Sequence, residues 1–192
     1  TAFVLLHKLR EAMAADAVES VGGNGQIVEV DGAYFGGHVK PANRAEDRKD
    51  LRLKENQTGK RKAVVVLRER RGRTLAFVAK NEGAAVDTVV ACIEEGTQVH
   101  ADEAPVWDEL HARFDARRVN HSVCFWDDGA CTNWAESYFS RLRRAEVGVH
   151  HQISGDHLQA YASEMAWRED HRRESNGVQF NRVADRKSTR LN

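Results

Sequence analysis

The hydrophobic pattern of this chain switches between a helical period and an alternating or continuous one. Over residues 2–15, Phe3, Leu5, Leu6, Leu9, Ala12 and Met13 recur at helical spacing and Gly22-Gly23 follows, so a helix leads into a flexible turn. The stretch Gln26–Gly37 is dense in β-branched and aromatic residues (Ile27, Val28, Val30, Tyr34, Phe35) and reads as a buried strand. Residues 38–60 are polar and nearly free of large apolar groups, the pattern of a long loop. Ala63–Leu67 and Thr74–Ala79, joined by a turn at Glu69–Gly72, form a hairpin. Gly83–Glu95 carries Val86, Val89, Val90 and Ile93 at helical spacing, and Gln98–Asp102 is a short strand.

Beyond it, Pro105 suits a first helical turn and Val106, Trp107, Leu110 and Phe114 continue a helix, followed by an extended stretch at Arg117–Phe125. From Cys131 to Ala145, Trp134, Tyr138 and Leu142 make a stripe that Ala135 and Phe139 widen, so one face packs into a core. Glu136 and Arg143 lie two turns apart on another face with Asn133 and Ser140. A last helix is expected over 155–173, with Leu158, Tyr161, Met165 and Ala166 inward, and residues 184–192 carry no apolar period. The order of elements predicts an α/β protein: a mixed five-stranded sheet flanked by helices, with parallel pairs reached by crossovers. Trp107, Trp134 and Trp167 fall at core spacing, which favours packing over base stacking.

Composition changes this picture little. The 192 residues suit one domain, with 41% apolar and 30% charged residues, and no apolar run approaches the length of a membrane span. Cys92, Cys124 and Cys131 form no CxxC pair, which suits reduced thiols inside a cell, and the histidines lack a zinc-site spacing with cysteine. A cytoplasmic location is expected.

Charge adds more. Residues 38–73 hold thirteen Lys and Arg against five Asp and Glu, whereas residues 74–110 hold one against eight. The basic block is the footprint of a polyanion partner, or equally of a solvated loop.

Asp31 is the anomaly, a carboxylate in the middle of an apolar strand, where burial demands a cationic partner. Asp102 ends the fourth strand and Glu136 sits on the helix after the fifth. If the first and fourth strands are neighbours, Asp31 and Asp102 stand side by side and Glu136 completes the cluster from the covering helix. Separately, each has a plainer role: Asp102 capping the next helix, Glu136 pairing with Ser140 or Arg143. Together they form an oxygen-only set suited to Mg2+ or Mn2+. Two such ions about 3.5–4 Å apart promote in-line displacement at phosphorus.

Val28-Glu-Val-Asp-Gly-Ala-Tyr-Phe-Gly-Gly37, Ala101-Asp-Glu-Ala104, Val119-Asn-His-Ser122, Thr132-Asn-Trp-Ala-Glu-Ser-Tyr-Phe-Ser-Arg-Leu-Arg-Arg144 and Gly148-Val-His-His151 occur in order at compatible distances. Over residues 3–181 the chain thereby resembles the DDE transposases of bacterial insertion sequences, the ISXO-like group. The resemblance implies an RNase H-like catalytic core with Asp31, Asp102 and Glu136 as a triad holding two divalent ions. It implies DNA strand cleavage followed by joining to target DNA, action at the nucleoid, and a homo-oligomer in the complex that pairs two ends. Contacts to DNA are expected from Arg143 and Arg144 two turns beyond Glu136, and from Lys60, Arg61 and Lys62 in the basic block. Asn133 is either a DNA contact beside Glu136 or a helix cap.

Three positions depart from that group's pattern: Arg143 stands where Lys is usual, Gly32 where Glu is frequent and Cys131 where His is frequent. No CxxC precedes Asp31, so the zinc ribbon common in the group is not expected here. Residues 1–22 are expected to be the helical end of a DNA-binding region, 23–183 the catalytic domain and 184–192 a non-native tail. Two competing functions remain: a nuclease of the same fold that cuts without joining, and an inactive DNA-binding remnant.

Overall fold

The computed structural model describes residues 1–37, 42–50, 56, 59–119 and 130–189. Strand β1 (Val21–Gly22) is followed by β2 (Ile27–Phe35), β3 (Lys62–Glu69), β4 (Thr74–Ala79), β5 (Ile93–Glu94), β6 (Gln98–Asp102) and β7 (Asp115–Val119). The helices are α1 (Ala2–Ala14), α2 (Val86–Cys92), α3 (Asn133–Ala145), α4 (Leu158–His171) and α5 (Asn176–Thr189).

Five strands form one sheet in the order β4-β3-β2-β6-β7. β2 pairs antiparallel with β3, which pairs antiparallel with β4, while β2 with β6 and β6 with β7 are parallel. This mixed sheet with helices on both faces is the RNase H-like architecture expected from the sequence, and the first and fourth long strands are neighbours, the condition on which the side-by-side placement of Asp31 and Asp102 depended. β1 and β5 pair separately in a short parallel ribbon.

Strand alternation divides the core in two. Val28 and Val30 of β2, Val65 and Leu67 of β3, and Val99 and Ala101 of β6 pack with Val86 and Val89 of α2 and with Trp107 and Leu110. On the other face Ala33 and Phe35 of β2 and Val64 and Val66 of β3 meet Ala135, Tyr138, Phe139 and Leu142 of α3 and Leu158 and Ala162 of α4. Residues 29 and 31 share the parity of 33 and 35, so two carboxylates of β2 point toward α3.

Several boundaries differ from the sequence reading. Only Val86–Cys92 of the segment expected as helix is α-helical; Gly83–Ala85 is a 3-10 turn and Ile93 enters β5. Pro105–Ala112 is a 3-10 helix rather than an α-helix. The fifth strand starts earlier, at Asp115, and its expected continuation over 120–125 lies outside the described residues. A π-helical turn, Glu146–His150, extends α3 and ends at His151, whose φ is 60°. α5 was not foreseen, and it runs to Thr189, into the segment that carries no apolar period. α1 lies against α4: Arg10, 4% exposed, donates from Nε to Glu164 at 2.7 Å, and His171 reaches Asp16 at 3.0 Å.

Candidate active site

β2 and β6 run parallel with Val30 opposite Ala101, which sets Asp31 beside Asp102 on the face covered by α3. α3 approaches with its apolar stripe buried and its first turn over these strand ends, bringing Glu136 forward. Asp31, Gly32, Asp102, Glu136, Phe139, Ser140 and Arg143 line one open cleft of about 470 Å³. The three acids predicted from sequence therefore share a cleft. Among the described residues no three His, Cys, Asp or Glu side chains already stand in metal-holding geometry, so the carboxylates face the same space without closing on one point.

The backbone fixes two of the acids. Asp31 Oδ1 accepts the Gly32 N–H at 2.7 Å and Asp102 Oδ1 accepts the Ala104 N–H at 3.1 Å. The helix after Asp102 has Ala104 at its N-cap and no side-chain cap, so Asp102 holds the turn ahead of that helix rather than capping it, while also facing the cleft. Burial pushes the Asp31 carboxyl up to about 7, against the pull of the Gly32 hydrogen bond, with Asp102, Glu136 and Glu82 adding repulsion.

Glu82 is an acid the sequence did not single out. A Cβ on Gly32 would lie 2.6 Å from Glu82 Cγ, so this side chain fills the room above Gly32. Burial raises its pKa, and Asp102 adds to the shift. The departure at position 32 removes one side chain and lets a carboxylate from another element take its place. The only sequence signal was the glycine itself.

The second residue missed is Glu29, which is fully buried. Its Oε2 accepts the Trp134 N–H at 2.7 Å and the Ala135 N–H at 3.2 Å, and Oε1 takes Arg70 Nε at 3.1 Å. The first N–H groups of a helix lack intrahelical partners, and an anion there is doubly favoured, by hydrogen bonding and by the helix dipole. Glu29 thus ties the start of α3 to β2, two residues from Asp31 and two from Glu136. Asn133 is not the helix cap: Thr132 is the N-cap residue, Glu29 takes the N–H groups, and Asn133 is exposed. The signal available was the shared parity of Glu29 and Asp31 on a buried strand.

His100, also fully buried, extends this support. Arg70 Nη2 at 3.2 Å and the Cys131 N–H at 3.3 Å both face Nδ1, and Nε2 faces Gln98 Oε1 at 3.1 Å. Two donors on Nδ1 assign the proton of the neutral ring to Nε2. Burial, with Arg70 nearby, lowers the His100 pKa to about 4.

The residues expected to meet DNA fall in two places. Arg143 is in the acidic cleft, its guanidinium 5.9 Å from the ring centres of Phe35 and of Phe139. Arg144 is exposed one position on and donates to Ser140 O at 3.3 Å. Lys60, Arg61 and Lys62 instead border a separate concavity of about 720 Å³, shared with Lys80 and residues 152–156. There Arg61 Nη2 donates to Tyr34 O at 2.8 Å and Lys62 Nζ to Gly155 O at 3.2 Å.

No helix among the described residues is long and apolar enough to cross a membrane. Comparison with known proteins gives no match among curated proteins and none among solved structures. Residues 22–170 match the family model of the ISXO2-like transposase domain, a span that holds the whole five-stranded sheet and all three cleft acids. The chain belongs to the ISXO2-like transposase domain family.

Proposed function

We propose that this chain is the catalytic domain of a DNA transposase in which Asp31, Asp102 and Glu136 bind divalent metal ions. The observation that carries the proposal is the convergence, on one cleft, of three carboxylates from β2, β6 and α3. The donor set fits the ions: hard oxygens only, with Asp31 held mostly protonated below pH 7 by burial and like charge, a penalty that a cation reverses. When bound, Mg2+ or Mn2+ supplies Lewis acidity toward the attacking and leaving oxygens of a phosphodiester.

The protein's own groups do the rest. Asp31 and Asp102 are fixed on neighbouring strands, so their spacing is set by the sheet. Glu136 rides on α3, whose start is anchored by Glu29. Arg143, at the cleft wall, presents a planar donor fork that suits bidentate contact with a phosphate of the transposon end. The concavity at Lys60, Arg61 and Lys62 receives DNA backbone further from the reacting bond. The reaction is hydrolysis of one strand at the element end and attack of the freed 3′ hydroxyl on target DNA, without a covalent protein intermediate. It takes place at the bacterial nucleoid, in an assembly of several copies that pairs two ends.

Asp31→Asn tests the reading. It should abolish Mg2+-dependent nicking of plasmid DNA and joining of pre-cleaved ends while leaving metal-free DNA binding unchanged. Metal-dependent joining retained by this variant would overturn the assignment. Nicking without joining by the parent chain would instead support the nuclease reading.

A further inference from the structure

A second pocket lies on the opposite flank of α3. It encloses about 420 Å³ and is bordered by Arg68, Arg71, Trp134, Arg172 and Arg173, with Glu169 and Asp170 also on its wall. Trp134 and Glu136 are two positions apart on α3, about 200° around the helix, so this pocket and the acidic cleft face different sides.

The two carboxylates are already engaged. Asp170 takes Arg68 Nη1 at 2.8 Å and Arg73 Nε at 3.1 Å. Glu169 faces Arg68 at 3.7 Å, Arg172 at 3.5 Å and Arg141. Arg68 is only 3% exposed, and its Nε has no hydrogen-bond partner. Arg71 and Arg173 are exposed and make no ion pair or hydrogen bond among the described residues. Four guanidinium groups thus meet two carboxylates, and the excess positive charge faces solvent. Burial lowers the pKa values of Arg68 and Arg141; Arg172 adds to both shifts, and Asp170 opposes that of Arg68.

We infer that this arginine pocket binds a backbone phosphate of DNA lying across α3, a second contact on the side away from the acids. The inference rests on the proposed function for its choice of polyanion. The geometry is commensurate: an α-helix with its side chains is about 10–12 Å across, comparable with the roughly 6–12 Å groove widths of B-DNA. One strand at the acids therefore leaves a neighbouring backbone within reach of Arg71 and Arg173. Trp134 supplies the apolar wall of the pocket, with Arg68 5.3 Å from its ring centre.

The test measures binding of a labelled DNA duplex by anisotropy, in EDTA, over a series of salt concentrations. Each lost phosphate contact lowers the slope of log K against log salt by about 0.9. Arg71→Gln with Arg173→Gln should lower it by about 0.9, the loss of that one phosphate contact, and leave the melting temperature unchanged. Arg71→Lys with Arg173→Lys should restore the slope. An unchanged slope and affinity in the glutamine pair overturns the inference. So does quenching of Trp134 fluorescence by inorganic phosphate alone that is lost in the glutamine pair while the DNA slope stays unchanged, because the pocket then serves a small phosphate ligand. Asp31→Asn run in parallel separates the readings. Retained nicking by that variant counts against the function and not against the pocket, and a dead variant with an unchanged slope in the glutamine pair does the reverse.

Discussion

Replacing Asp31 by Asn should make the metal-free protein more stable at pH 8. The folded carboxyl titrates near 7 against an ordinary value of 3.8, so the fold favours the protonated form. Between these two values the native state binds more protons than the unfolded one, and stability falls as pH rises through the window and is flat outside it. The shift corresponds to about 4 kcal/mol at 1.36 kcal/mol per unit. Partial exposure to solvent screens some of this, leaving roughly 2–4 kcal/mol of destabilisation carried by the ionised parent. Asparagine keeps the shape and cannot ionise, and it relieves the repulsion with Asp102, Glu136 and Glu82. Urea unfolding in EDTA should give equal midpoints for parent and variant near pH 4 and a clear advantage for the variant at pH 8. For a chain of this size that advantage is roughly 5–15 °C in melting temperature. Adding Mg2+ at a thousandfold excess over the dissociation constant should bring the parent level with the variant or above it, because only the parent gains binding energy, about 4.1 kcal/mol. A variant less stable than the parent at pH 8 without metal would refute the reasoning, as would a Mg2+ response equal in both.

Three further outcomes follow from the support of the cleft. Glu29→Gln keeps the volume but removes the anion shared by Arg70 and the start of α3, and should cost about 3–5 kcal/mol of unfolding free energy, as for other broken buried ion pairs; a loss under 1 kcal/mol by denaturant titration would remove Glu29 from its anchoring role. Gly32→Ala should destabilise by about 1–3 kcal/mol because its Cβ would meet Glu82, and combination with Glu82→Ala should recover most of that loss in a double-mutant cycle. His100 has a folded pKa of about 4 against 6.5, so its contribution is complete above pH 6.5 and disappears as pH falls toward 4. Ring NMR shifts should show a neutral His100 protonated on Nε2 down to about pH 4, and titration near 6.5 would contradict the buried network.

The pattern of apolar residues was enough to give the sheet, its flanking helices and the three acids of the cleft. Each of these depends on local periodicity and on which side of a strand or helix a residue occupies. Asp31 stood out because a charge inside an apolar strand is costly, whereas the pairing of its strand with that of Asp102 was a condition that the sheet then met. Element ends were less legible. Whether Pro105–Ala112 winds as a 3-10 or an α-helix depends on how Trp107 and Leu110 seat in the core, and α5 leaves its apolar Val178 and Phe180 exposed.

What only the tertiary structure decided were the contacts between groups far apart in sequence. Glu29 meets residues more than a hundred positions away, Glu82 fills the space above Gly32, and Arg71 and Arg173 gather beside Trp134. Periodicity reports which way a side chain points but not what it meets. A buried carboxylate or an arginine cluster acquires its role from the partner that the fold brings to it.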